Sequence, residues 1–85
     1  MKTFDYLIKT NEGIHARPAT LIVTNAKQFQ SQITIKNKDK EVDGKRMIAI
    51  MSLNAKQGDI LQVTISGEDE QLAFEKLFTL FKENI

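Results

Sequence analysis

One stretch organises this chain, Gly13-Ile14-His15-Ala16-Arg17-Pro18-Ala19-Thr20, which contains its only histidine and its only proline. Proline is favoured in the first turn of a helix, where its missing N–H costs no hydrogen bond, so a helix is predicted to open near Pro18. His15 then lies at the N-terminal end of that helix, where unpaired backbone N–H groups and the helix dipole favour an anion. The sequence therefore predicts an anion site beside an imidazole, to which Arg17 adds a guanidinium.

The pattern of apolar residues on either side of this stretch predicts four strands and three helices. Alternation of apolar and polar residues indicates strands over residues 3–9 and 32–36, around Val42, and over 60–66. Helical spacing indicates a first helix that ends near residues 27–29 and a short second helix over 47–53. A third helix is predicted after Gly67, with Asp69 as its N-cap and a wide apolar arc that contains three phenylalanines.

Strands with one apolar face require a sheet that is covered on one side and wet on the other. A right-handed crossover through the first helix leaves strands one and two parallel with a gap, which the last strand fills in the antiparallel sense. We therefore predict an α+β fold, an open-faced β-sandwich with the order βαββαβα. Its four-stranded, mainly antiparallel sheet has the strand order 1-4-2-3 and is covered on one face by three helices. At 85 residues, the chain is expected to form a single domain over residues 1–85.

Composition excludes several classes of function. Apolar content of 41% and charged content of 27% are typical of a soluble globular protein, and a net charge of +1 with scattered basic residues does not favour nucleic-acid binding. The absence of cysteine excludes disulfides and thiolate sites, and one histidine excludes a multi-histidine metal site. No apolar run reaches membrane-spanning length. We expect a cytoplasmic protein with no cofactor, no metal, no nucleic-acid partner and no direct membrane insertion.

The stretch 13–20 resembles the active-centre signature of the HPr family, the histidine-containing phosphocarrier proteins of the bacterial phosphoenolpyruvate-dependent sugar phosphotransferase system. Met51-Ser52-Leu53, with Lys56 and Gly58, is similar to the second helix of that family and the turn after it. The length and the predicted element order also fit, so the resemblance covers the whole chain.

The resemblance implies a phosphoryl carrier that is not an independent catalyst. Phosphorylated enzyme I would transfer a phosphoryl group to Nδ1 of His15, and the phosphohistidine would pass it to enzyme II A domains. Arg17 and the backbone of the region Ala16, Arg17 and Pro18 at the helix N-terminus would bind the phosphoryl group. The protein is expected to act as a monomer in sugar transport.

The resemblance also implies a partner-binding surface, formed by Thr20, Met47, Ile48 and Met51. At the position before the second helix, many Gram-positive relatives have a serine that a dedicated kinase phosphorylates, and this chain has Arg46. That regulatory switch therefore does not carry over. The helix also lacks a hydroxyl N-cap there. Our hypothesis is that Lys45 and Arg46 instead add positive charge to the partner-binding surface.

There are three alternatives: one is a carrier with a different role, and two come from other classes of function. An HPr-like paralogue could serve a dedicated or regulatory phosphorelay rather than general sugar uptake, and the sequence does not separate these two roles. A binding-only regulator of the same fold would have no need of His15. A small nucleic-acid-binding module would need basic and aromatic residues on its strands, where this chain has mostly Gln, Thr, Asp and Lys facing outward.

Overall fold

Four strands form one sheet in the computed structural model, which describes residues 1–85. The strands are β1 (Lys2–Leu7), β2 (Gln32–Asn37), β3 (Lys40–Asp43) and β4 (Ile60–Ser66). Their order is β1-β4-β2-β3, and all three hydrogen-bonded pairs are antiparallel. Since β1 and β2 both run opposite to β4, they are parallel to each other with β4 between them. The predicted fold class and strand order are confirmed.

The alternating pattern of the strands places one face of the sheet in the core. Val63 of the central strand pairs with Phe4 on one side and Ile35 on the other, and all three are buried. The intervening residues, such as Gln62 and Asp5, are exposed. The sheet therefore has one apolar face under the helices and one wet face, as the period of two predicts.

Three helices cover the apolar face: α1 (Ala16–Ala26), α2 (Met47–Met51) and α3 (Glu70–Asn84). The prediction that α1 opens near Pro18 is wrong by two residues, because His15 is the N-cap and its carbonyl accepts the first helical hydrogen bond from Ala19 at 3.0 Å. Pro18 still lies in the first turn, where its missing N–H removes no helical bond. No helix is long and apolar enough to cross a membrane.

The core is a single cluster of 21 buried apolar residues drawn from the sheet, the helices and the loops between them. In α1 the predicted apolar positions are all buried: Ala19, Ile22, Val23 and Ala26. In α3, Phe81 is buried, but Phe78 is exposed at the rim, where it stacks on Phe74 with ring centroids 5.9 Å apart. The arc of α3 is therefore wider than the face that the sheet can cover.

Two acidic side chains, those of Asp69 and Glu70, lie at the N-terminal end of α3. Asp69 is the N-cap residue as predicted, but its carboxylate does not cap its own helix. It accepts hydrogen bonds from the backbone N–H groups of Gln30 and Ser31 and from the Ser31 hydroxyl. The hydrogen bond from that hydroxyl, followed by those from the backbone, holds the pKa of Asp69 below its ordinary value. Glu70, in the first turn, accepts a hydrogen bond from the Gly67 N–H.

Candidate functional site

A tight loop delivers the chain from β1 to the N-terminus of α1. Gly13 has a φ of +65°, and a side chain there would bring its Cβ to 2.3 Å from the carbonyl oxygen of Ala55. The same carbonyl accepts a hydrogen bond from the Ile14 N–H at 3.0 Å. Only glycine fits this close approach. The loop is therefore held against the segment that follows α2, and His15 is presented at a defined place.

His15 and the first turn of α1 leave hydrogen-bond donors free. The imidazole is 42% exposed and makes no capping hydrogen bond. The backbone N–H groups of Ala16 and Arg17 donate to no protein group, while Pro18 has no N–H. No acidic residue lies in this first turn. Because unpaired N–H groups and the helix dipole both favour negative charge, the helix end beside His15 is suited to an external anion.

His15 and Arg17 line one shallow depression, so the structure brings together the residues that the sequence placed at this site. Arg17 makes no ion pair with any protein carboxylate. Two acidic residues that the sequence analysis missed line the same depression, Glu12 and Glu83. The i, i+3 spacing of Glu12 and His15 was a signal for the first, but nothing in the sequence brings Glu83 there.

The Glu12 carboxylate is the acidic group nearest to the imidazole within ion-pair range, with Oε1 3.4 Å from Nε2 of His15. Nδ1 of the ring has no protein partner within hydrogen-bond or ion-pair distance. The two ring nitrogens therefore have different environments, with a carboxylate beside Nε2 only.

The residues expected to bind partners lie on the adjoining surfaces of α1 and α2. The hydroxyl of Thr20 donates to the carbonyl of Ala16 at 2.8 Å, within α1. The same hydroxyl lies 3.8 Å from the sulfur of Met47, and this contact connects α1 to α2. Ile48 is 84% exposed and Met51 is 40% exposed, while Met47 is half-buried against the core. Met47, Ile48 and Met51 thus form an apolar patch on α2 beside Thr20 of α1, with Ile48 and Met51 exposed.

Arg46 and Lys45 have different environments at the start of α2. Arg46 is the N-cap residue, is exposed and makes no side-chain capping bond, as the sequence predicts. Lys45 does not project freely, because its ammonium donates to the carbonyl of Phe29 at 2.7 Å. We expected both basic residues to add charge to the partner-binding surface. The Lys45 ammonium is instead held by a hydrogen bond within the protein. Arg46 lines a depression with Met47 and Ile48.

Comparison with known proteins shows the family. Residues 2–83 match the family model described as "PTS HPr component phosphorylation site". The phosphocarrier protein HPr of Lysinibacillus sphaericus is 40% identical over 83 residues, which cover 98% of this chain and 94% of the relative. The crystal structure of HPr-C-His from Thermoanaerobacter tengcongensis superposes with a TM-score of 0.91 at 39% identity, covering 96% of this chain and 92% of that one.

A second similar structure is that of Crh, the Bacillus subtilis catabolite repression containing protein, which is described as a swapped dimer. It is 34% identical with a TM-score of 0.77, and the match covers 94% of this chain and 92% of Crh. The fold, the site and these matches together define a phosphocarrier of the phosphotransferase system. The chain belongs to the HPr family, and its partners are proteins of that system.

Proposed function

We propose that His15 carries the phosphoryl group, which Nδ1 accepts from phosphorylated enzyme I and passes to enzyme II A domains in the cytoplasm. One observation carries this proposal: the half-exposed imidazole lies at a helix N-terminus whose first two N–H groups have no protein partner. A catalytic centre would be expected to enclose its substrate. An open imidazole beside unpaired donors suits a carrier that meets donor and acceptor proteins in turn.

The chemistry requires a neutral imidazole as nucleophile, which histidine provides near neutral pH. The lone pair of Nδ1 attacks phosphorus while the bond between phosphorus and the donor protein breaks. The ring becomes a phosphorylated imidazolium that retains the proton on Nε2. In the second transfer, the P–N bond breaks toward the acceptor, and the ring returns to its neutral form.

The added negative charge is stabilised by groups that are already in place. The N–H groups of Ala16 and Arg17 point into the space beyond the helix end, and the Arg17 guanidinium has no competing ion pair. Charge-assisted hydrogen bonds contribute about 1.5–3 kcal/mol each in favourable geometry, and solvent exposure lowers that figure here. Moderate stabilisation suits a carrier, because a phosphoryl group that is held too tightly is not passed on.

The partner-binding surface in this proposal consists of the apolar patch and the charge beside it, formed by Thr20, Arg46, Met47, Ile48 and Met51. The patch adjoins α1, and His15 is the N-cap residue of that helix. Methionine side chains adapt to differently shaped partners, which suits a protein that docks on several of them. Arg46 contributes an exposed cation at the rim, where complementary charge mainly accelerates association.

The test is phosphorylation of the wild type and of His15→Ala with phosphoenolpyruvate and enzyme I from the same organism, followed by intact mass and acid treatment. We expect one acid-labile phosphate on the wild type and none on the variant. His15→Ala should fold normally, because the imidazole makes no capping bond. Circular dichroism provides that control. An unmodified wild type, or a variant that is phosphorylated as the wild type is, would contradict the proposal.

A further inference from the structure

We propose that Glu12 is a positioning residue for phosphoryl transfer. Its carboxylate holds the proton on Nε2 of His15, which keeps the lone pair on Nδ1, and it stabilises the protonated ring once phosphorus is attached. This inference rests on the proposed role of His15 as the phosphoryl acceptor. In this role Glu12 acts on the imidazole ring, both when the phosphoryl group is attached to His15 and when it is released. The helix N-terminus and Arg17 act instead on the phosphoryl oxygens.

The geometry puts Glu12 on the side of the ring away from the reacting atom. Oε1 lies 3.4 Å from Nε2, and the Glu12 side chain, which is 78% exposed, forms no other hydrogen bond or ion pair. That distance is longer than an ordinary hydrogen bond and within ion-pair range. Hydrogen bonds of this kind are often long in the free protein and shorten when charge develops during reaction.

Three other charged residues surround this part of the site. Arg17 and Glu83 line the same depression as His15, and Lys56 lies behind the loop, where its Cα faces Gly13. Glu83 makes no ion pair with the imidazole, and Arg17 makes none with any carboxylate. Glu12 is thus the one carboxylate in ion-pair range of a ring nitrogen.

The Glu12 carboxylate affects the reaction in two ways, because the ring keeps its Nε2 proton before and after the transfer. Before transfer, Nε2–H donates toward Glu12 and Nδ1 presents its lone pair to phosphorus. When the P–N bond forms and the donor bond breaks, the ring gains a positive charge and keeps its Nε2 proton. The carboxylate stabilises that charge. The protonated ring is also the better leaving group, so Glu12 should increase the rate at which the phosphoryl group is released to an acceptor or to water.

The test uses four variants of the full chain. Glu12→Ala removes the hydrogen-bond acceptor, and Glu12→Gln removes the charge alone. Glu68→Gln is the matched control, because Glu68 is exposed, makes no side-chain contact and precedes α3 at the end opposite Glu83. Glu83→Gln tests whether any carboxylate in the depression has the same effect.

The first readout needs no enzyme I. Nitrogen-15 NMR of the neutral imidazole reports which of its two nitrogens carries the proton. We expect Glu12→Ala to lower the fraction protonated at Nε2, and Glu68→Gln to match the wild type. Equal fractions in all proteins would overturn the tautomer role of Glu12, whether or not His15 is phosphorylated.

The second readout is the rate at which the phosphorylated protein loses phosphate at neutral pH. We expect Glu12→Gln to slow this loss by about threefold, the size that an exposed charge pair supports, and Glu68→Gln to leave it unchanged. An equal effect from Glu83→Gln would show that any carboxylate near the ring changes the rate, and it would overturn the assignment to Glu12. If no phosphorylated protein forms at all, the proposed role of His15 is wrong. The nitrogen-15 measurement still tests separately whether Glu12 holds the proton on Nε2.

Discussion

The N-terminal ends of α1 and α3 differ in the charge that the chain itself places beside them. At α1 the first turn has no acidic residue, and two backbone N–H groups have no protein partner. At α3, Asp69 and Glu70 bring two carboxylates to the helix end, and both accept hydrogen bonds from neighbouring segments. A helix dipole favours negative charge at either place. The fold supplies that charge itself at α3 and leaves it to an external group at α1.

The difference separates a helix end that ties the fold together from one that does not. The Asp69 carboxylate joins the loop before β2 to the start of the last helix, so it stabilises the fold. At α1 a similar carboxylate would also stabilise the helix, but it would occupy the place that we propose for the phosphoryl group. In that proposal, the open helix end gives up local stability in exchange for a binding site.

The largest expected effect comes from making α1 resemble α3. Arg17→Glu should reduce the rate of phosphorylation by enzyme I roughly tenfold to a hundredfold, because it removes a charge-assisted contact and adds a repulsion. The same change should raise the free energy of unfolding by about 0.5 kcal/mol, since it puts an anion in the first turn. Phosphorylation kinetics and urea denaturation measure the two effects.

Arg17→Gln is the control, because it removes the cation without adding an anion, and it should be slowed less than Arg17→Glu. If Arg17→Glu were phosphorylated at the wild-type rate, the guanidinium would have no part in binding the phosphoryl group.

A second change opens the end of α3. Asp69→Asn should lower the free energy of unfolding at pH 7, because the Ser31 hydroxyl and two backbone N–H groups lose an anionic acceptor. The folded pKa of Asp69 lies below the unfolded value of about 3.9. Its stabilisation is therefore present above that value and is lost as the pH falls through the folded pKa. Urea denaturation from pH 7 to pH 2 should show the variant and the wild type converging in acid.

Asp5→Asn is the matched control for this series, because Asp5 is exposed on the wet face of the sheet and makes no side-chain contact. Its unfolding free energy should follow that of the wild type at every pH. Phosphorylation of Asp69→Asn should remain normal. A gap between Asp69→Asn and the wild type that stayed constant down to pH 2 would show that the charge of Asp69 does not contribute.

The third change is made at the remaining helix end, that of α2. Arg46→Ser should raise the free energy of unfolding by about 1 kcal/mol, because a hydroxyl N-cap replaces an uncapped cation. It should also weaken the dependence of phosphorylation by enzyme I on salt, if Arg46 contributes charge to partner association. Thermal unfolding and phosphorylation at two ionic strengths measure these. An unchanged rate and salt dependence would remove Arg46 from the partner-binding surface.

Much of the fold could be predicted because local patterns control it. Alternation in β1, β2 and β4 correctly indicated which face of the sheet is buried, and the strand order then followed from the crossover rule. The place of His15 was also local, since it depends on a glycine turn and on a proline in the first helical turn. The start of α1 was misplaced by two residues because proline is accepted throughout that turn.

Contacts between distant segments could not be predicted. The pairing of Asp69 with Ser31 joins residues 38 apart, and Glu83 reaches the depression around His15 only because α3 packs beside α1. The hydrogen bond from the Lys45 ammonium to the Phe29 carbonyl likewise joins residues that only the folded chain brings together. Charge and periodicity describe what a residue favours, but they do not identify the partner that the fold places next to it.

The wet face of the sheet has a practical consequence. The helices, and with them His15 and the apolar patch, lie on the other side, and Gln62 is exposed at the centre of the wet face on β4. The chain contains no cysteine. A single Gln62→Cys substitution therefore provides one thiol for a fluorophore or for surface immobilisation. The carrier could then be followed through successive encounters with its partners, with the label held away from the surface that meets them.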